Sequence, residues 1–452
     1  MHRDEHMRLH RLLRTAALSN LGAMGALTAR NLLDTIYAAR VSAEALAALT
    51  VTVPLTALLI GLSQGISVST GNSLALSGNV DRDDRGVALV PAALQAALMG
   101  GALVVLFLYP LAMIVQGSST NPTVARASSL GGWIILTAPL LFLFGTLTSL
   151  LRALGHASAA ARATVVGIGV GAAVTPLLLL AAWASGEAAA DCDPLIAMPI
   201  GLATGYATSC ILLIMTLRRM QVRCNPFCRF DPVAGLRILR AALPVVGNSL
   251  AGLLAMFIIV AVFAEAGVVH ASAYGVVFRL EQIGLVALNA VVLAMVPMVA
   301  RALGQGDRTT IALTIRVGIR TIFVMGAGIG LAFAAGSGLI ITWFQLPDAA
   351  ATLAWNWLIF SGLAMAFQGV VLAGTSLLQI RRPTLSFVLS VLRLYGLVLP
   401  ALLVASAGCD AWLYQAISGA QILAGICAFF LLHYWCRRNS ASPGSSTSMA
   451  RE

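Results

Sequence analysis

Asn31-Leu-Leu-Asp-Thr-Ile-Tyr37 closes the first apolar stretch of the chain, and Asp34 is the one carboxylate between residues 16 and 38. A charged side chain at mid-depth of a lipid-spanning helix costs roughly 2.5–3.5 kcal/mol on insertion scales, so an acid there marks a candidate functional position. The remaining chain reads as further spanning helices around a path that Asp34 would serve.

Composition places most of the protein in lipid. It is 59% hydrophobic and 10% charged, with a mean hydropathy of +0.91, whereas a soluble domain carries roughly 25% charged residues. All 28 basic residues are arginine, and the formal net charge is +11. Without lysine there is no phosphate-binding P-loop and no Schiff-base chemistry, so neither an ATP-driven pump nor such an enzyme fits. A basic balance suits nucleic acid, but these arginines fall in short loops between apolar stretches, which favours a membrane and no nucleic-acid partner. Residues 16–38 lack a small-residue processing site and are expected to remain as a helix. Cys224 and Cys228 match a metal spacing only weakly beside Pro226, so no metal centre is expected.

Stretches of about 20 apolar residues occur near 16–38, 45–76, 87–115, 128–152, 158–184, 195–217, 236–263, 271–300, 311–336, 351–378, 384–406 and 411–436. With both termini cytoplasmic, 24 of the 28 arginines fall on the inner side, the asymmetry that sets orientation. Arg40 and Arg126 lie outside, while Arg30 and Arg279 lie within spans. Two halves repeat weakly at an offset of 226: Leu76-Ser-Gly-Asn-Val-Asp-Arg82 lies over Ala302-Leu-Gly-Gln-Gly-Asp-Arg308. The expected fold is therefore an all-α membrane protein of twelve transmembrane helices. They form two six-helix bundles related by a pseudo-two-fold axis along the membrane normal. The expected division is a cytoplasmic segment 1–15, an N-lobe 16–217, a linker 218–235, a C-lobe 236–436 and a disordered tail 437–452.

Asp34-Thr-Ile-Tyr, Ala43-Glu-Ala-Leu-Ala-Ala, Gly61-Leu-Ser-Gln-Gly, Leu151-Arg-Ala-Leu-Gly155, Ala273-Tyr-Gly-Val-Val-Phe-Arg-Leu-Glu281 and Ala302-Leu-Gly-Gln-Gly-Asp307 follow one another along the chain. In that order and spacing the sequence resembles the multidrug and toxic compound extrusion (MATE) family from roughly residue 12 to 437. The resemblance implies two lobes and antiport, in which inward H⁺ or Na⁺ drives organic cations or other amphiphiles outward. It also implies that Asp34 takes the coupling ion. Where many members read Asn-x-x-x-Asp-Pro in the fifth helix, this chain has Gly171-Ala-Ala-Val-Thr-Pro176, so Thr175 replaces a second carboxylate. Sodium favours several oxygen ligands and a proton needs one titratable group, so H⁺ is the expected coupling ion, with no other cofactor. No proline bends the first helix, though Gly22 and Gly25 would permit a bend.

The coupling candidates are Asp34, Arg30 one turn earlier, and Thr175. The substrate-cavity candidates are Asn248, Arg279, Glu281, Gln282, Asn289 and Gln368, polar residues within apolar stretches of the second half. At i,i+2, Arg279 and Glu281 point to different faces of one helix and do not simply pair. The expected partners are small amphiphilic or cationic molecules and the lipid bilayer of a bacterial inner membrane, around a monomer. Three alternatives stay open. One is a lipid-linked saccharide flippase of the same superfamily, for which Arg30 and Arg279 would line a cationic cleft. The second is a major facilitator transporter, suggested by Asp81-Arg-Asp-Asp-Arg-Gly86. The third is a channel or membrane-embedded enzyme, the last disfavoured because no cluster of catalytic groups lies at one depth.

Overall fold

The computed structural model describes residues 2–77, 84–120, 122–184, 193–220, 222, 232–344, 347–408 and 412–440. Asp81, Arg82, Cys192, Cys224, Cys228, Cys409 and the tail beyond Ser440 lie outside them. The described chain is helical, without strands: α1 (His2–Val41), α2 (Ala43–Leu76), α3 (Asp84–Ser118), α4 (Pro122–Leu136), α5 (Ala138–Ala153), α6 (Ala157–Ala184) and α7 (Ala197–Arg219) make the first half. α8 (Pro232–Glu265), α9 (Val268–Gln305), α10 (Arg308–Phe344), α11 (Asp348–Leu378), α12 (Pro383–Arg393), α13 (Leu399–Gly408) and α14 (Leu413–Ser440) make the second.

Ten helical stretches are long and apolar enough to cross a membrane, and α4 with α5, bent by 45°, makes an eleventh. The remaining helix, α1, is interrupted by Asn20, Arg30, Asn31 and Asp34 and falls outside that set. Its 40 residues are nonetheless one unbroken helix, and nothing lies within 4 Å of where a side chain on Gly22 or Gly25 would begin. Large apolar side chains stand exposed along the helices, Phe107 at 69% and Leu331 at 71% among them. In water such surfaces would aggregate; in a bilayer lipid tails cover them.

The breaks follow local chemistry. Thr137 turns the chain between α4 and α5, where Pro139 enters the first turn of α5 and has no N–H to give the preceding helix. Leu394–Val398 is a π-helical turn joining α12 to α13. α5 and α9 each end on a glycine in the left-handed region, Gly155 at φ 91° and Gly306 at φ 72°. There His156 N–H reaches the Leu151 carbonyl at 2.9 Å, and Asp307 N–H reaches that of Ala302 at 2.9 Å. Both are Schellman closures, which explains the glycines of Arg152-Ala-Leu-Gly155 and Leu303-Gly-Gln-Gly306. Asp307 then caps α10 by accepting from the Thr310 N–H at 3.0 Å.

The internal repeat persists in the element boundaries. α4 starts at Pro122 and α11 at Asp348, α6 at Ala157 and α12 at Pro383, each pair 226 residues apart. The chain divides into two compact units, Ser19–Leu253 and Met1–Leu18 with Leu254–Glu452. In the first, α6 packs on α7 through Gly167, Gly171 and Thr175 against Gly201, Gly205 and Ser209, and the N-terminal part of α8 meets α2 at Gly61 and Gly65. In the second, α10 meets α11 where Gly330 faces Gly362 and Gly326 faces Ala366. Small residues four apart let backbones approach, the usual device for helix contact in lipid.

Candidate functional site

Arg30 is the centre of the first unit's polar site. Within this unit Asn20, Ala23, Arg30 and Ala38 are the buried residues of α1. The spacing brings the Arg30 guanidinium against the α6–α7 crossing. A side chain on Gly171 would begin 2.3 Å from the Gly201 carbonyl oxygen and 3.1 Å from Arg30 Nη1; one on Gly205 would begin 3.6 Å from Nη1. The two glycines therefore leave the floor on which the guanidinium lies. Arg30 donates from Nη2 to the Met198 carbonyl on α7 at 3.1 Å and sets Nε 3.4 Å from Asp34 Oδ2. Its side chain is 1% exposed, that of Asp34 17%. A fully desolvated cation is thus held by one carboxylate and one carbonyl, and the acid is the less buried of the pair.

Thr175 is buried, and its hydroxyl donates back to the Gly171 carbonyl at 3.2 Å. It faces Gly201, whose added side chain would begin 2.1 Å from the Thr175 Oγ1. Thr175 is therefore committed to the α6–α7 seam, next to the Arg30 site. Tyr206 on α7, stacked on Phe144 at 5.2 Å, adds a phenol near the pair.

The second unit holds a different polar centre. Glu281 is buried on α9, and its Oε1 accepts from Ser361 Oγ at 2.7 Å and Gln368 Nε2 at 3.3 Å, both on α11. Gln368 also donates to Gln421 on α14. Around this core Trp357 stacks on Tyr414 at 5.3 Å, Phe263 on Tyr274 at 4.2 Å, and Phe263 meets Trp357 edge-on at 5.4 Å. Glu281 and Gln368 are thus brought together. Arg279 and Gln282 lie on exposed parts of α9, and Asn289 sits two turns beyond Glu281. Asn248 belongs to the first compact unit, on the part of α8 that packs on α2. None of these four joins the Glu281 hydrogen bonds.

Ser361, Gln421 and Tyr414 were not among the expected residues, although their spacing marks them. Tyr274, Phe278 and Glu281 on α9 fall at i, i+4, i+7, as do Tyr414, Ser418 and Gln421 on α14, each set on one helical face. No group of three or more potential metal ligands occurs among the described residues.

The family model MatE matches residues 21–177 and 244–404, once in each half. The chain belongs to the MATE family. Its fold is that of MATE transporters: an Asp-to-Asn variant of the Vibrio cholerae MATE transporter VcmN superposes with a TM-score of 0.87 at 17% identity, covering 96% of this chain and 98% of that one. A MOP superfamily transporter from Pyrococcus furiosus, described as having a binding pocket of reversed polarity that suggests a different function, gives 0.84 at 14% identity, covering 96% and 97%. An outward-facing multidrug resistance MATE transporter gives 0.83 at 16% identity, with the same coverage. No curated protein matches the sequence. The major facilitator alternative therefore falls. MATE membership makes this a multi-pass membrane protein of a transporter family, and Gly171 with Thr175 forms the α6–α7 seam beside Arg30.

Proposed function

We propose that the protein exports small cationic or amphiphilic molecules by antiport with protons, with Asp34 as the proton-accepting group. The observation that carries this reading is the Arg30–Asp34 pair, with Arg30 sealed against α7 and Asp34 17% exposed beside it. A bound metal cation would compete with a guanidinium that already sits beside the carboxylate. A proton needs neither a vacant site nor extra oxygen ligands. Protonating Asp34 cancels its attraction for Arg30, so the cation that α1 seats on the Met198 carbonyl of α7 loses its counter-charge. Deprotonation restores it. Binding a proton thereby changes the energy of the α1–α7 contact, the differential interaction that a conformational switch requires.

Transport drawn from a membrane potential supplies about 2.3 kcal/mol per charge per 100 mV. The test is ethidium efflux from cells expressing the protein, with the pH gradient and the sodium gradient collapsed in turn. Loss of efflux on collapse of the pH gradient alone is expected. Efflux that follows sodium instead would overturn proton coupling.

A further inference from the structure

Away from both polar centres, a groove of about 1120 Å³ opens on the second unit between α10, α11 and α14. Arg316, Arg320 and His433 stand along it with Phe323, Phe367 and Phe429, and no carboxylate lines it. Among the described residues neither arginine has an ion-pair partner, and both are exposed. Two positive charges thus face the same apolar groove without a protein counter-charge.

Their depth follows from α14. The apolar stretch of α14 begins at Leu413, and His433 lies 20 residues after it, roughly 30 Å away. A bilayer's hydrocarbon layer is about 30 Å thick. His433, and with it the two arginines that line the same groove, therefore stands near a boundary between hydrocarbon and headgroups. Phe429 lies one turn back from His433 along the apolar body of α14, and Phe323 one turn past Arg320 on α10.

We propose that this groove is a binding site for an acidic phospholipid, whose phosphate sits between Arg316 and Arg320 and whose acyl chains lie on Phe323, Phe367 and Phe429. A zwitterionic lipid fits the apolar wall equally but brings its own cation to a place already holding two. Basic pockets between membrane helices recognise anionic headgroups for this reason.

The experiment uses the full-length protein, delipidated in detergent and titrated with phosphatidylglycerol or phosphatidylcholine, bound lipid being counted by native mass spectrometry. Wild type is expected to retain one phosphatidylglycerol per chain at concentrations where phosphatidylcholine is lost. Arg316→Gln with Arg320→Gln is expected to weaken phosphatidylglycerol about tenfold or more, at roughly 1 kcal/mol per basic residue near the surface. Arg381→Gln with Arg382→Gln removes the same charge from the exposed turn before α12 and is expected to leave binding unchanged. Equal retention of the two lipids by wild type, retention of neither, or wild-type affinity in the Arg316/Arg320 variant would each overturn the site. Should that variant fail to fold, the headgroup preference of wild type decides.

Discussion

The two units solve the burial of an acid in opposite ways. In the first, Asp34 meets a guanidinium within its own helix, and the cation is seated on backbone: the Met198 carbonyl and the floor left by Gly171 and Gly205. In the second, Glu281 is held by the neutral donors Ser361 and Gln368 inside an aromatic shell. The first site balances its charge internally, so adding one proton leaves a buried cation short of its partner. The second has no cation among its hydrogen-bond partners. Where a pair is self-neutralised, protonation leaves its cation unbalanced against the backbone it rests on. Where an acid is held by neutral donors, protonation changes little beyond the acid itself.

That contrast makes the largest expected effect Asp34→Asn. The amide keeps the size of the acid but is permanently uncharged, so the clasp on Arg30 cannot be made and released. Ethidium efflux is expected to be abolished at normal expression, measured against membrane abundance of the protein; retained efflux removes Asp34 from the coupling step. Glu281→Gln should do less. An amide oxygen still accepts from Ser361, the aromatic shell stays packed, and efflux is expected to fall about tenfold or less. A complete loss with the fold intact would mean that the second unit, too, carries an obligatory charge.

The glycine floor gives the next effect. A methyl at residue 171 would begin 2.3 Å from the Gly201 carbonyl and press on Arg30, so α6 and α7 must part. Overpacking of this kind costs typically 1–3 kcal/mol. Gly171→Ala is expected to lower the thermal midpoint of the purified protein and to reduce efflux. Gly169→Ala, two residues away on a face where nothing lies within 4 Å, should hold or slightly raise stability, because alanine is the better helix former. Equal effects at the two positions would detach Arg30 from the α6–α7 crossing.

Much of this was legible in the chain itself. Asp34 and Arg30 stand out as charges in an apolar stretch, and the i,i+2 spacing of Arg279 and Glu281 already separates their faces. The departure at Gly171 and Thr175 is visible too, but its consequence is not. That Arg30 fills the freed space depends on a contact between residues 141 positions apart in sequence. The partners of Glu281 come from α11 and α14, and helical spacing predicts which residues share a face without saying which faces meet. The stretch 128–152 reads as one continuous apolar span, whereas the chain bends by 45° at Thr137. Only Pro139 signals that break, and prolines elsewhere, such as Pro54 and Pro297, sit inside unbroken helices. The first span was legible as the apolar stretch 16–38, but not that its helix continues from His2 to Val41.

Arg126 offers the smallest effect and the plainest control, since it is a charge pair with no switching role. Its Nε and Nη2 donate to Asp193 at 2.6 and 2.8 Å, and Nη1 to Ser42 Oγ at 3.5 Å. It thereby ties the start of α4 to the turns before α7 and α2. Partial burial pushes the Asp193 carboxyl up, but the Arg126 hydrogen bonds, the Leu195 N–H and the guanidinium charge together hold it below its ordinary 3.8. A carboxyl depressed in the folded state contributes stability that is present above 3.8 and lost as pH falls through the lower folded value. Both groups are about a quarter exposed, so solvent screens the pair and the contribution stays near 1 kcal/mol. Arg126→Ala is therefore expected to lower the thermal midpoint slightly at neutral pH, with the difference from wild type shrinking below pH 4 and efflux per folded molecule unchanged. Unlike Arg30–Asp34, this clamp joins two partly hydrated groups from different elements, and water replaces either partner at small cost. A variant that folds and yet fails to transport would place Arg126 in the working cycle and remove the distinction between a clamp and a switch.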